Sequence, residues 1–350
     1  MKIGQKQQKI LGLLLKYDSL SSSRAREHLL ESGESVSLVT VKRDLSQMAA
    51  AGLMDAVGKG RARAYRITAL GRIFSKIEAS AYCALEPDVR YGLDRFNFDL
   101  LPAIPPEIFT SSEKKALENA TDEYRERITG LPPAIEKKEL ERLIIELSWK
   151  SSKIEGKTYT LLDTEKLILE HREASGHDKK EAVMILNHKE AFSFIREEKG
   201  EFRMLTRANL EKLHAILVKD LSVGLGIRKK PVGVVGSKYR PLDNLHQIQE
   251  AVDALASAVA KGNTPYAKAL VALVGVSYIQ PFEDGNKRTA RLMANALLLA
   301  YGCAPLSYRS VGEKEYREAM IVLYELNSIA PLKDIFVGQY EFAAKNYAVR

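Results

Sequence analysis

Apolar positions recur at helical spacing over most of the chain and alternate in only a few short runs, so helices are expected to dominate. Before Gly71, Ile10, Leu13, Leu14 and Tyr17 share one helical face. Ser21 to Ser23 offer an N-cap for a second helix through Leu30, and a third is expected over about Leu38 to Ala51 with Val41, Leu45 and Met48 as its apolar face. Gly52 closes that helix ahead of two strand-like runs, Leu53 to Val57 and Ala64 to Thr68, joined by Gly58-Lys59-Gly60-Arg61. Three helices followed by a basic-tipped hairpin predict a winged helix.

From about Glu136 the pattern is helical, with amphipathic stretches near Glu136 to Ser152, Asp163 to His171, Lys180 to Arg196, Arg207 to Asp220, Leu245 to Lys261 and Tyr266 to Tyr278. Lys230 to Tyr239 interrupts it, because Val232, Val234 and Val235 between glycines suggest a short β-hairpin laid over the helices. Prolines at 102 to 106 and at Pro132-Pro133 forbid helix continuation. The expected organisation is a winged helix over 1–72, a helical linker or extension over 73–135 and a mainly α domain over 136–350.

The 350 residues and 45% hydrophobic content suit two or three globular domains. A net charge of +8 favours a polyanionic partner only where the charge is concentrated. Two isolated cysteines, Cys83 and Cys303, provide neither a disulfide framework nor a metal cluster, which points to a reducing cytosol. The apolar stretches are too short and interrupted to span a bilayer, and no leader pattern precedes them, so no membrane role is expected.

Thr40, Lys42, Arg43 and Gln47 lie off the apolar face of the third helix, where Arg and Gln can pair bidentately with base edges while Lys and Thr reach phosphates. Lys59, Arg61 and Arg63, on alternate residues, and Arg66 add a basic wing that would face one phosphate strand. The segment VSLVTVKRDLSQMAAAGLM resembles the recognition helix of DeoR-like bacterial repressors, and DNA is the partner it implies; protein docking is the competing use of such a module.

The richest chemistry lies in Ile279 to Arg291, IQPFEDGNKRTAR, between two apolar helical stretches. Glu283-Asp284 offers oxygen ligands for a hard cation, while Gly285-Asn286 lets main-chain N–H groups converge on an anion at a helix N-terminus. Arg288 and Arg291, three apart, can clamp phosphates. The run resembles the Fic signature, His-x-Phe-x-Asp/Glu-Gly-Asn-Gly-Arg-x-x-Arg, at Phe282, Asp284, Gly285, Asn286, Arg288 and Arg291. The resemblance implies an all-α Fic core that uses ATP and Mg²⁺ to move AMP onto a Ser, Thr or Tyr hydroxyl of a target protein. Asp284 would then hold the metal, Gly285, Asn286, Lys287 and Arg288 the phosphates, and Arg291 the γ-phosphate. Lys230 to Tyr239 would be the family's flap, which pins the target segment by main-chain pairing. Ser151-Ser152-Lys153-Ile154-Glu155-Gly156 resembles the family's inhibitory motif, Ser/Thr-x-x-x-Glu-Gly/Asn, on a helix near 141–156; Ser151, Glu155 and Gly156 match it, and Glu155 would oppose Arg291. This arrangement also implies a homodimer, although no self-complementary patch is readable.

Two positions depart from the family. Gln280 stands where the base histidine belongs, and an amide has no titratable proton near neutrality, a loss of about 10² to 10⁴ in rate. It is consistent with a natural pseudoenzyme that binds nucleotide, with a site that recruits another base, or with a substitution made to hold the site inactive. Lys287 replaces the usual glycine and resembles the Doc branch, which transfers phosphate. The primary expectation is a cytosolic, bacterial, self-inhibited nucleotidyltransferase impaired at its base. The alternatives are an ATP-binding transcriptional regulator without catalysis and a Doc-like phosphotransferase. The histidines show no metal-ligand spacing, and His214 reads as a structural residue.

Overall fold

The computed structural model describes residues 3–348, apart from the side chain of Arg61. Its contacts divide into two units: the first takes residues up to Ile104 with Val234–Arg240 and Glu318–Leu332, and the second takes Pro105–Gly233, Pro241–Arg317 and the residues from Lys333 on.

In the first unit, α1 (Gln5–Lys16), α2 (Ser22–Glu31) and α3 (Leu38–Ala50) precede an antiparallel pair, β1 (Met54–Val57) and β2 (Ala64–Ile67), with Asp55 opposite Arg66. The caps follow from the sequence: Ser21 accepts from the Arg24 N–H and Ser37 from the Thr40 N–H, satisfying donors that a helix start leaves open. Val41, Leu45 and Met48 are buried as their spacing requires, each contributing about 1.5–3 kcal/mol. They join one cluster with Ile10, Leu14, Leu29 and Tyr65 that also takes in Tyr82, Val322 and Leu326. Short helices α4 (Ala69–Phe74), α5 (Ala79–Cys83) and α6 (Leu100–Ala103) follow.

The second unit is helical: α7 (Ser111–Ile128), α8 (Pro133–Ile154), α9 (Leu161–Glu170), α10 (Lys179–Glu197), α11 (Arg207–Leu217), α12 (Leu245–Lys261), α13 (Pro265–Ile279) and α14 (Asn286–Ala300). α13 starts at Pro265 behind the Thr264 cap and is buried almost all round, as expected of a helix apolar on every face. α15 (Glu313–Leu326) and α16 (Ala330–Asn346) each have residues in both units. Among the described residues no helix is long and apolar enough to cross a membrane.

Two local expectations are corrected. No strand ladder joins the limbs of Lys230 to Tyr239; the segment turns at Val235-Gly236, where Gly236 has φ +78°, and the Ser237 N–H bonds the Val234 carbonyl at 3.2 Å. Pro231 has no N–H to donate, and main-chain groups of the second limb pair elsewhere: Gly236 O with Arg90, Lys238 N with Glu325 and Arg240 N with Asp94 O. The connection between β1 and β2 likewise lacks the expected alternating basic row, because Gly60–Ala62 forms a 3₁₀ turn and alternation needs extended backbone. Lys59 and Arg63 flank that turn, exposed, with the Arg63 guanidinium 5.5 Å from the Tyr65 ring centre; the Arg61 side chain lies outside the described residues.

Candidate functional site

α13 and α14 are joined by a tight connection, residues 280–285, whose shape is set at both ends by left-handed backbone: φ is +52° at Gln280 and +77° at Gly285. Glycine suits the second position, where a side chain would be strained, while glutamine at the first is one of few non-glycine residues in that region. Asn286 then locks the loop. Its Oδ1 accepts from the Phe282 N–H and its Nδ2 donates to the Phe282 carbonyl, both at 2.8 Å, so one amide side chain satisfies both main-chain groups of a fully buried residue. Thr289 Oγ1 donates to Gly285 O at 3.0 Å and fixes the helix start, which leaves its N-terminal N–H groups oriented to the loop.

Arg288 and Arg291, one turn along α14, are buried. Arg291 donates from Nε and Nη2 to Ser151 Oγ at 3.0 and 2.8 Å and from Nη2 to the Ser151 carbonyl at 3.0 Å. Glu155, the C-cap of α8, places Oε1 2.6 Å from Arg291 Nη2 and Oε2 3.4 Å from Arg288 Nε. One carboxylate thus faces both guanidinium groups, and Gly156, at φ +84°, turns the chain away directly after it. Arg288 Nη1 and Nε and Arg291 Nη1 have no hydrogen-bond partner among the described residues. Buried cationic donors of this kind are costly unless an anion meets them.

The Gln280 side chain is 6% exposed, and its Nε2 donates to Ser277 O at 2.6 Å; its own carbonyl accepts from Arg228 Nε at 2.7 Å. Asp284 stands at the mouth, 65% exposed, with Oδ2 3.2 Å from Arg288 Nη2. Lys287 is half-buried and its ammonium is held below the ordinary lysine range, first by burial and then by Arg291 and Arg317, against the pull of Glu155 and Asp284.

Two histidines without metal-ligand spacing, one of them expected as a structural residue, lie here. His214 stacks on Phe282 with centroids 3.7 Å apart and planes 5° from parallel, and its Nε2 is 3.0 Å from the Asp284 carbonyl, so it braces the loop from α11. Burial pushes it down to about 4, Arg288 acting the same way and the Asp284 hydrogen bond opposing. His188 on α10 is fully buried, 3.4 Å from Ser148 Oγ, and is pushed down to about 3 by burial, then by Arg291 and Arg288. The sequence signal for His214 was only its place in an apolar helix, and its partner is 70 residues away. In the first unit Lys42, Arg43 and Gln47 are exposed along α3, while Thr40 is half-buried with its hydroxyl 3.0 Å from Ser37 Oγ.

Residues 204–298 match the model of the Fic/DOC family, a stretch that includes α11, the 280–285 loop and most of α14. Over 213 residues the chain is 27% identical to the protein adenylyltransferase Fic of Nematostella vectensis, a match covering 56% of this chain and 48% of that one; the chain thus spans about half the length of this curated relative. Solved structures share the fold: a Fic domain containing signaling protein from Bacteroides thetaiotaomicron at TM-score 0.55 and 21% identity, covering 66% of this chain and 94% of that one, and Fic-1 (residues 134–508) from C. elegans at TM-score 0.58 and 18% identity, covering 68% and 72%. Residues 204–298 are thus similar to a Fic domain, and the fold around them is shared with solved Fic structures.

Proposed function

We propose that the Fic domain is a nucleotidyltransferase site that binds ATP and Mg²⁺, is restrained by Glu155 and is weakened at its proton-accepting position by Gln280. The observation that carries the reading is the engagement of Arg291 and Arg288 by one carboxylate at 2.6 and 3.4 Å, beside two guanidinium nitrogens, Arg288 Nη1 and Arg291 Nη1, that have no hydrogen-bond partner among the described residues. A phosphate chain entering at the α14 N-terminus takes those donors and must displace Glu155 to take the rest, so inhibitor and γ-phosphate compete for the same nitrogens. The relative's name, an adenylyltransferase, supports AMP as the group moved.

The residues present fit a magnesium ion. Asp284 presents one exposed carboxylate, and such ions are commonly held by one or two carboxylates together with substrate phosphates. Bound there, the metal would offset phosphate charge. Arg288 and Arg291 hold the phosphates, Asn286 keeps the loop shaped to receive them, and Gln280 orients a target hydroxyl without accepting its proton. Transfer therefore runs about 10² to 10⁴ below a site with an intact base.

A second reading rests on the same Gln280 amide: a regulator that binds ATP without turning it over, its α3 helix and wing forming a winged helix on DNA through Thr40, Lys42, Arg43, Gln47, Lys59, Arg61 and Arg63. The deciding experiment is label transfer with ATP labelled at the α- or γ-phosphate, using this chain, Glu155→Gly, and Glu155→Gly with Gln280→His. Transfer of α-label by the double variant, at least about a hundredfold above the single one, is the expected result. γ-Label would indicate phosphotransfer and favour the part played by Lys287. No transfer of either label, with ATP bound and duplex DNA retarded in a salt-sensitive way, would establish the regulator.

A further inference from the structure

The segment Val234–Arg240 belongs to the first unit, although the residues before and after it belong to the second. What ties it there is Glu325, near the end of α15, whose side chain is fully buried. Its Oε1 accepts from Ser237 Oγ at 2.7 Å, from Arg90 Nη1 at 3.1 Å and from the Lys238 N–H at 3.2 Å; its Oε2 lies 2.7 Å from the Tyr82 hydroxyl. Arg90 is itself nearly buried and reaches the segment directly, donating from Nη1 to Gly236 O at 3.0 Å, while Lys238 Nζ donates back to the Arg90 carbonyl.

The main chain repeats the pattern. Leu93 N donates to the Glu325 carbonyl at 2.6 Å, Arg240 N donates to Asp94 O at 2.9 Å, and Arg95 and Arg240 form a parallel bridge. Gly92, at φ +105°, lets this approach happen, because a Cβ there would fall 2.4 Å from the Glu325 carbonyl oxygen. Tyr82, Val322 and Leu326, which flank the carboxylate in space or sequence, belong to the same apolar cluster as Val41 and Leu45 of α3.

We infer that Glu325 is the positioning residue for the target-docking segment, clamping residues 234–240 to the linker around Arg90 so that the segment is ordered before a target arrives. The inference rests on the proposed nucleotidyltransferase reading, together with the docking role that resemblance to the Fic signature implies for 230–239. With no ladder between its limbs, the segment has little local structure of its own, and Val235 at its turn is 97% exposed. Fixing a loop residue costs about 1–2 kcal/mol of backbone entropy, so a limb ordered in advance spares the target that cost.

The test uses the full chain with Glu325→Gln, which keeps shape and removes charge, and Ser237→Ala, which removes one donor on the segment side and leaves Arg90 and Tyr82 paired. Amide hydrogen exchange at 234–240 should rise at least about tenfold in both, with exchange at 282–291 and ATP affinity unchanged; unaltered exchange overturns the clamp. In the Glu155→Gly, Gln280→His background, with a degenerate Ser/Thr/Tyr peptide library as acceptor, each variant should raise the acceptor KM about tenfold and leave kcat within twofold. An unchanged KM in a parent that transfers label overturns the docking role alone. A parent that transfers nothing overturns that role together with the reading it rests on.

Discussion

Glu325 and Glu155 both face arginines, and their surroundings differ. Glu325 is fully buried, and its two oxygens are met by a guanidinium, two hydroxyls and a main-chain N–H. Glu155 keeps 17% of its side chain exposed at a helix end, and the arginines it faces retain donors with no partner. A saturated carboxylate has no reason to leave, whereas one that leaves its partners unsatisfied can be exchanged for a ligand with more oxygen atoms. On the proposed reading, burial and completeness of pairing, more than distance, separate a fastener from a plug.

The sharpest way to break this comparison is to delete each carboxylate. Glu325→Ala strands the nearly buried Arg90 without its counter-charge and is expected to cost about 3–5 kcal/mol, read as a lower midpoint in denaturant for the first unit. A cost below about 1 kcal/mol would show that water or Gly236 compensates, and Glu325 would then be no firmer than Glu155.

How each glutamate reads from sequence follows from the kind of information that fixes it. Glu155 stands in a short pattern with Ser151 and Gly156, close to a helix end, so a local motif points to it. Glu325 has no motif: its partners come from Tyr82, Arg90 and Ser237, far away in the chain, and only the fold brings them together. The same contrast holds for the architecture. Periodicity located α12 at Leu245–Lys261 and the apolar face of α3, because those helices bury one side against a core; on α1 it chose Ile10, Leu13, Leu14 and Tyr17, whereas Ile10, Leu11, Leu14 and Leu15 are the buried residues. The pattern misled at 230–239, where valines between glycines suggested a hairpin and Pro231, Arg90 and Glu325 took the pairing elsewhere. His214 was expected only as a structural residue, and its partner was not legible, since stacking on Phe282 leaves no trace in spacing.

A middle-sized effect comes from the histidines of the second unit. His188 and His214 are held at about 3 and about 4, so between those values and the ordinary 6.5 the unfolded chain takes up protons that the folded one refuses. Stability therefore falls as pH drops below about 6.5, by about 1.4 kcal/mol per pH unit for each group, and neither contributes above it. His188→Gln should remove about 2 kcal/mol of the loss between pH 7 and pH 5, measured by urea unfolding at both. An unchanged acid limb would mean that His188 titrates normally in the folded state, and that the surroundings of Arg291 are wetter than its burial indicates.

The smallest effect should be that of Glu155→Gly. Arg291 keeps Ser151 Oγ and the Ser151 carbonyl, and Glu155 is open enough for water to follow its loss, so about 1–2 kcal/mol is expected, below the buried-pair range. What distinguishes this variant is its response to ligand. ATP at about a hundred times its Kd adds about 2.7 kcal/mol to any folded state that binds it, and with the competing carboxylate gone that concentration is reached sooner. The thermal midpoint of Glu155→Gly should therefore start lower than that of the parent and overtake it as ATP is added. A variant that starts lower and stays lower at saturating ATP would make Glu155 a structural partner of Arg291 like Glu325 is of Arg90, and the distinction between plug and fastener would be lost.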